Sequence, residues 1–193
     1  MSQLYASLFY QPDVTAIFSD RALLGYMIQA EVALAKAQAK INVIPRAAAT
    51  IIEQIGQNAL AEIDFDGLAV ATGFAGNIAI PFVKQFTAIV QQQNEEASRY
   101  VHWGATSQDI LDTACILQCR AAMTHVEALI HQCYRTALAQ AEQYRSQVMI
   151  GRTWLQQGLP ITLGHKFARW ASAFHRDLAR IDAMKARVFA AQL

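Results

Sequence analysis

With 193 residues, 54% of them hydrophobic, and only nine glycines and four prolines, the chain has material for a sizeable core and little that interrupts helices, so it reads as all-α. Sixteen basic residues against fifteen acidic ones leave a formal charge of +1. Both signs are interspersed, which gives nucleic acid and anionic membrane surfaces no reason to bind. No apolar run reaches the roughly 18 residues of a membrane span, and Met1-Ser2-Gln3-Leu4 lacks the basic start of a signal peptide, so a cytoplasmic protein is expected.

The first predicted helix covers 21–40, where Leu24, Met27, Ile28, Val32, Leu34 and Ala35 recur at helical spacing and Ser19 or Asp20 caps the start. A second opens with Pro45 at its first position, carries Ile51, Ile52 and Ile55, and ends near Leu60. Asp64 or Asp66 caps a short helix through Ala71, which the run Gly73-Phe74-Ala75-Gly76-Asn77 breaks. The next stripe is Ile78, Phe82, Phe86, Ile89 and Val90, with Pro81 tolerated in a first turn.

Between Ser107 and Gly151 there is neither glycine nor proline, and Ile110, Leu111, Ala114, Leu117, Ala121, Val126, Leu129, Ile130 and Leu138 keep a helical rhythm. A helix of some 35 residues would run on the order of 50 Å, longer than a compact small domain is wide. After a break at 146–159, Pro160 opens a second long pattern through Phe167, Trp170, Ala171, Phe174, Leu178, Ile181 and Val188. No glycine, asparagine or proline closes it before Leu193, so the chain reads as incomplete. Two long apolar faces cannot be buried on each other alone, and further helices or neighbouring subunits are expected to cover them. Cys115, Cys119 and Cys133 form no CxxC pair and read as small buried hydrophobes.

Two polar clusters could carry chemistry. The first is Val101-His102-Trp103-Gly104-Ala105-Thr106-Ser107-Gln108-Asp109, at the mouth of the long helix. An imidazole, two hydroxyls and the open amides of a helix start suit one anion, while Thr106 with Asp109 also reads as a capping box. The second is Gly151-Arg152-Thr153-Trp154-Leu155-Gln156-Gln157-Gly158-Leu159-Pro160-Ile161-Thr162-Leu163-Gly164, expected as an inter-helix loop. Its Arg152 offers a fixed fork to a carboxylate, and Thr153 and Gln156 add neutral donors. Counted along the chain the clusters lie at opposite ends of the first long helix, so subunits of an oligomer are the expected way to join them. His125, His131, His165 and His175 lie on helical stretches without metal-ligand spacing. There is no phosphate loop and no nucleophile elbow.

These clusters resemble the first two signature regions of the fumarase/aspartase superfamily. The first, of the form H-x-G-x-T-S-x-D, is met at His102, Gly104, Thr106, Ser107 and Asp109. The second, of the form R-T-H-x-Q-x-A-x-P-x-T-x-G, is met at Arg152, Thr153, Gln156, Pro160, Thr162 and Gly164. The opening Ile17-Phe18-Ser19-Asp20 with Glu31-Val32-Ala33-Leu34-Ala35-Lys36-Ala37-Gln38 is similar to the family's start. Trp154 stands where the lyases carry a histidine and cannot exchange a proton, and the region of Gly76-Asn77 also lacks one. Both departures resemble the cycloisomerase branch, whose members close a carboxylated muconate to a lactone.

The resemblance implies an N-terminal helical domain over 1–106 and part of a central long-helix bundle over 107–193. It also implies a homotetramer with active sites shared between subunits, a small tricarboxylate substrate, and no metal or cofactor. His102, Ser107, Arg152 and Thr153 are the expected catalytic set, and Asn77, Thr106 and Gln156 join them as substrate-binding donors. The family's third signature, a glycine- and serine-rich loop that supplies the base, has no counterpart before Leu193, which leaves the acid and base unassigned. The competing expectations are an adenylosuccinate-type lyase that releases fumarate and a helical assembly module without chemistry.

Overall fold

The computed structural model describes residues 4–193. Two units emerge, one reaching to Ala121 and joined by Ala190–Leu193, the other spanning Ala122–Phe189.

The first unit begins with two short helices, α1 (Ala6–Phe9) and α2 (Pro12–Ile17). Ser19 lies in extended backbone and its hydroxyl accepts from the Ala22 amide, which starts α3 (Asp20–Lys40). α4 (Arg46–Gly56) follows, with Pro45 outside the first turn as the N-cap, one place earlier than expected, and a 3-10 turn covers Ala59–Ala61. Asp64 caps α5 (Phe65–Ala75) through the Gly67 amide. This helix runs past Gly73, where a break was expected, since one interior glycine costs only about 1 kcal/mol. It ends at Gly76, whose φ of +76° closes the last turn. α6 (Ala79–Gln93) holds Pro81 in its first turn, as its stripe requires, and α7 (Glu95–Ser98) leads to the polar loop before α8 (Ser107–Gln143).

The core of this unit gathers Leu24, Met27, Ile28 and Ala35 of α3, Ile52 and Ile55 of α4, Phe82, Phe86 and Val90 of α6, and Ile110 and Ala114 of α8. Phe82 and Phe86 stack at 6.0 Å and are fully buried, each side chain contributing about 1.5–3 kcal/mol by leaving water. The first of the two predicted long helices is therefore anchored at its start. Its 37 residues correspond to roughly 55 Å of helix.

In the second unit the chain leaves α8 and forms a hairpin, β1 (Val148–Thr153) and β2 (Gln156–Thr162), before α9 (Leu163–Val188). The expected loop and a helix opening at Pro160 are thus replaced by two antiparallel strands, and Pro160 pairs with Ile150. In a two-stranded ribbon both strands are edges, so a missing N–H is tolerated on the outer side. Thr162 caps α9 by accepting from the His165 amide. α8 and α9 run antiparallel: Glu127 bonds Lys185 at 2.6 Å, Tyr134 meets His175 at 5.9 Å and Tyr144 meets Phe167 at 6.3 Å. Gly164 sits against the Ala141 carbonyl and the Arg145 backbone, with no room for a Cβ.

Val126, Leu129 and Leu138 of α8 stay exposed in this unit, an apolar stripe without cover. The cysteines correct the expectation of burial: Cys115 and Cys133 are exposed and Cys119 is half-buried, because the stripe they flank lies open. Burial and the neighbouring Cys115 push the Cys119 thiol above its ordinary value, which disfavours the reactive thiolate.

Candidate active site

The loop ahead of α8 is shaped by backbone before any side chain acts. His102 has φ +58° and Gly104 φ +71°, so the chain doubles back within three residues. The Gln38 amide donates to the Trp103 carbonyl at 2.6 Å, and the Trp103 ring packs on Tyr100 at 5.5 Å. Asp109 accepts from the Thr106 amide at 2.8 Å, the backward half of the expected capping box. His102, Thr106 and Ser107 are thereby held within one turn, beside the positive end of α8. Thr106 is exposed and Ser107 partly so.

Behind the loop stands a residue that the polar clusters do not include. Glu31 of α3 is 1% exposed, and its Oε1 lies 2.6 Å from His102 Nδ1. Its other oxygen is buried and makes no hydrogen bond among the described residues. A carboxylate accepts only, so the proton between them belongs to Nδ1 and the bond is charge-assisted. The Glu31 bond and charge, with a smaller contribution from Asp109, hold the His102 imidazole above its ordinary value, while partial burial works in the other direction. The sequence carries a signal for Glu31: an acid at the spacing of Leu24, Ile28 and Ala35, in an apolar stripe where burial without a partner would be costly.

The second cluster belongs to the hairpin. Arg152 pairs with Gln157 and Thr153 with Gln156, after a bulge that follows Ile150. Gly151 faces the two bulged residues Gly158 and Leu159, with the Leu159 carbonyl where a Cβ would have to sit, so only glycine admits this close approach. Trp154 and Leu155 form the turn, Leu155 with φ +55°, and are 85% and 91% exposed. Arg152, Thr153 and Gln156 border an open hollow of about 530 Å³, together with Met149 and Ile150.

Asn77 stands apart in kind. Its side-chain oxygen accepts from the Ile80 amide at the entrance to α6. His131 and His165 lie exposed on α8 and α9, and His175 rests on Tyr134. Among the described residues no three His, Cys, Asp or Glu side chains gather as a metal site requires, and no helix is long and apolar enough to cross a membrane.

The helical chain thus carries an imidazole and two hydroxyls in one polar cluster and a guanidinium in the other. The profile of the family described as Lyase matches residues 10–193, and the chain belongs to that family, within the fumarase/aspartase superfamily. It is 72% identical over its full length to the 3-carboxy-cis,cis-muconate cycloisomerase of Acinetobacter baylyi, of which it covers 43%. The crystal structure of beta-carboxy-cis,cis-muconate cycloisomerase from Acinetobacter calcoaceticus matches with a TM-score of 0.94 and 71% identity over 99% of this chain and 44% of that one. The 3-carboxy-cis,cis-muconate lactonizing enzyme of Pseudomonas putida matches with a TM-score of 0.90 and 38% identity, over 100% of this chain and 43% of that one. The chain thus spans less than half the length of these relatives.

Proposed function

We propose that the chain supplies the first two carboxylate-gripping regions of a cycloisomerase that interconverts 3-carboxy-cis,cis-muconate and 4-carboxymuconolactone. One carboxylate of the substrate adds to a double bond of the same molecule, and a proton goes to the carbon beside another carboxylate. Atoms balance without a further reactant, because substrate and product are isomers. Charge accumulates on the carboxylate next to the protonated carbon, so donors fixed in advance lower the barrier.

In this reading His102, Thr106 and Ser107 grip one carboxylate, Arg152 takes another in its fork, and Thr153 and Gln156 add neutral bonds. Asn77 contributes its amide N–H if substrate reaches α6. Catalytic roles fall to His102, Ser107, Arg152 and Thr153. The observation that carries the reading is an imidazole seated on a buried carboxylate at the mouth of α8, in a chain whose second cluster has Trp154 in place of a titratable ring. Residues 1–106 would then act as the N-terminal domain and 107–193 as bundle. The exposed stripe of Val126, Leu129 and Leu138 supports a homotetramer in which clusters of different protomers meet, working in the cytoplasm on a small tricarboxylate.

The test uses a protein that carries this chain at the length of its relatives, supplied with 3-carboxy-cis,cis-muconate and followed by loss of diene absorbance. His102→Ala and Arg152→Ala are each expected to lower kcat/KM by at least about tenfold. Undiminished turnover in both variants overturns the site, and fumarate released from a succinylated nucleotide would replace ring closure by elimination.

A further inference from the structure

We propose that Glu31 is a positioning residue of this site: by holding Nδ1 of His102 it makes Nε2–H the group presented to a substrate carboxylate. The inference rests on the reading above that His102 grips a carboxylate, and it adds a residue from α3 to a site otherwise drawn from loops.

Three observations carry it. First, Glu31 occupies a position on α3 where its neighbours in the stripe, Leu24, Ile28 and Ala35, are apolar and buried. A carboxylate there is costly to desolvate, and an apolar side chain would serve packing better. Second, its hydrogen bonding is not spread over a network. Oε1 meets His102 Nδ1 at 2.6 Å, and Oε2 is buried with no hydrogen bond among the described residues, so the imidazole is the side chain this carboxylate engages there. Third, the loop is tied to the same helix a second time, by Gln38 on the Trp103 carbonyl, two turns further along α3. Those two ties hold His102 at φ +58°, a conformation that side chains other than glycine seldom take.

The chemistry follows from the inventory of the ring. With Nδ1–H committed to Glu31, the neutral imidazole has a bare Nε2, and the second proton can enter only there. The cation then donates Nε2–H to an anion while Glu31 balances its charge from behind. Glu31 on α3 and Asp109 in the first turn of α8 are the charged groups facing the ring, and both favour that cation.

The experiment records ring-nitrogen spectra of the chain labelled at histidine, from about pH 5 to about pH 9, for the parent, Glu31→Gln and Glu31→Asp. In the parent, the high-pH form is expected to carry its proton on Nδ1, with a midpoint above that of an ordinary histidine. Glu31→Gln keeps an acceptor of the same shape but no charge, and its midpoint should fall; Glu31→Asp should recover part of the difference. A parent ring that carries its high-pH proton on Nε2, or a midpoint unmoved in Glu31→Gln, overturns the proposal. In the active enzyme Glu31→Gln should raise KM for 3-carboxy-cis,cis-muconate more near pH 8 than near pH 6, with kcat changed less than KM; an equal rise at both overturns it as well. Failure of the enzyme to turn over the muconate, with the ring behaving as stated, removes the functional reading and leaves the hold of Glu31 on His102 standing.

Discussion

Gln38 donates its side-chain amide to the Trp103 carbonyl at 2.6 Å, a bond between residues 65 positions apart that fixes the loop to α3. Replacing Gln38 by Leu removes the donor and leaves that carbonyl to water or to nothing. The expected loss is about 1–3 kcal/mol in denaturant unfolding. The amides of the loop between Val101 and Thr106 should exchange faster with solvent before the core does. Unchanged exchange in that loop would show the bond to be incidental.

His102→Ala removes the partner of a carboxylate that is 1% exposed. Breaking a buried pair from one side costs about 3–5 kcal/mol, because the remaining charge has no counterpart. The pH dependence carries a sign that can be checked. The folded-state value of His102 lies above its unfolded one, so the pair stabilises fully below about pH 6.5 and loses that contribution as pH rises through the folded value. Urea midpoints measured across this window should fall with pH in the parent and change less in His102→Ala.

Asp109→Asn tests the helix start separately from the pair. The side chain loses charge beside the positive end of α8 and weakens its bond to the Thr106 amide, for a cost of about 0.5–1 kcal/mol. The titration midpoint of His102 should also move down, by less than in Glu31→Gln, since the Glu31 contribution is the larger one. A larger movement in Asp109→Asn would reverse the ranking of the two acids.

Gly164→Val places atoms where the Ala141 carbonyl, 2.5 Å from an ideal Cβ, and the Arg145 backbone already lie. Backbone cannot swing aside as a side chain would, so α9 must shift along α8, at a cost of about 1–3 kcal/mol. For a chain of this size that is a fall in Tm of roughly 2–4 °C per kcal/mol, read by calorimetry.

The helices were legible where burial is one-sided. Leu24, Ile28 and Ala35 on α3, or Phe82, Phe86 and Val90 on α6, repeat at 3.6 residues because each faces a single core. The hairpin was not, because a ribbon with both faces largely open has no alternation to read: Arg152, Thr153, Gln156 and Gln157 are all exposed, and Pro160 signals a break. The polar clusters announced themselves by composition, and their resemblance to the superfamily agrees with the family match. Glu31 did not, since its meaning depends on an imidazole 71 positions later that only the folded chain brings to it.

The bulge opposite Gly151 sets more than a local bend. Ile150 pairs with Pro160 and Arg152 with Gln157, so Gly158 and Leu159 together face Gly151 and the extra residue lies on β2. Because side chains on a ribbon alternate between its two surfaces, that residue decides which surface receives Gln156 and Gln157. Deleting one amino acid between Gln157 and Pro160 would leave both strands hydrogen-bonded yet turn Gln156 to the opposite surface. The length of that short strand therefore sets which neutral side chains stand beside the guanidinium of Arg152.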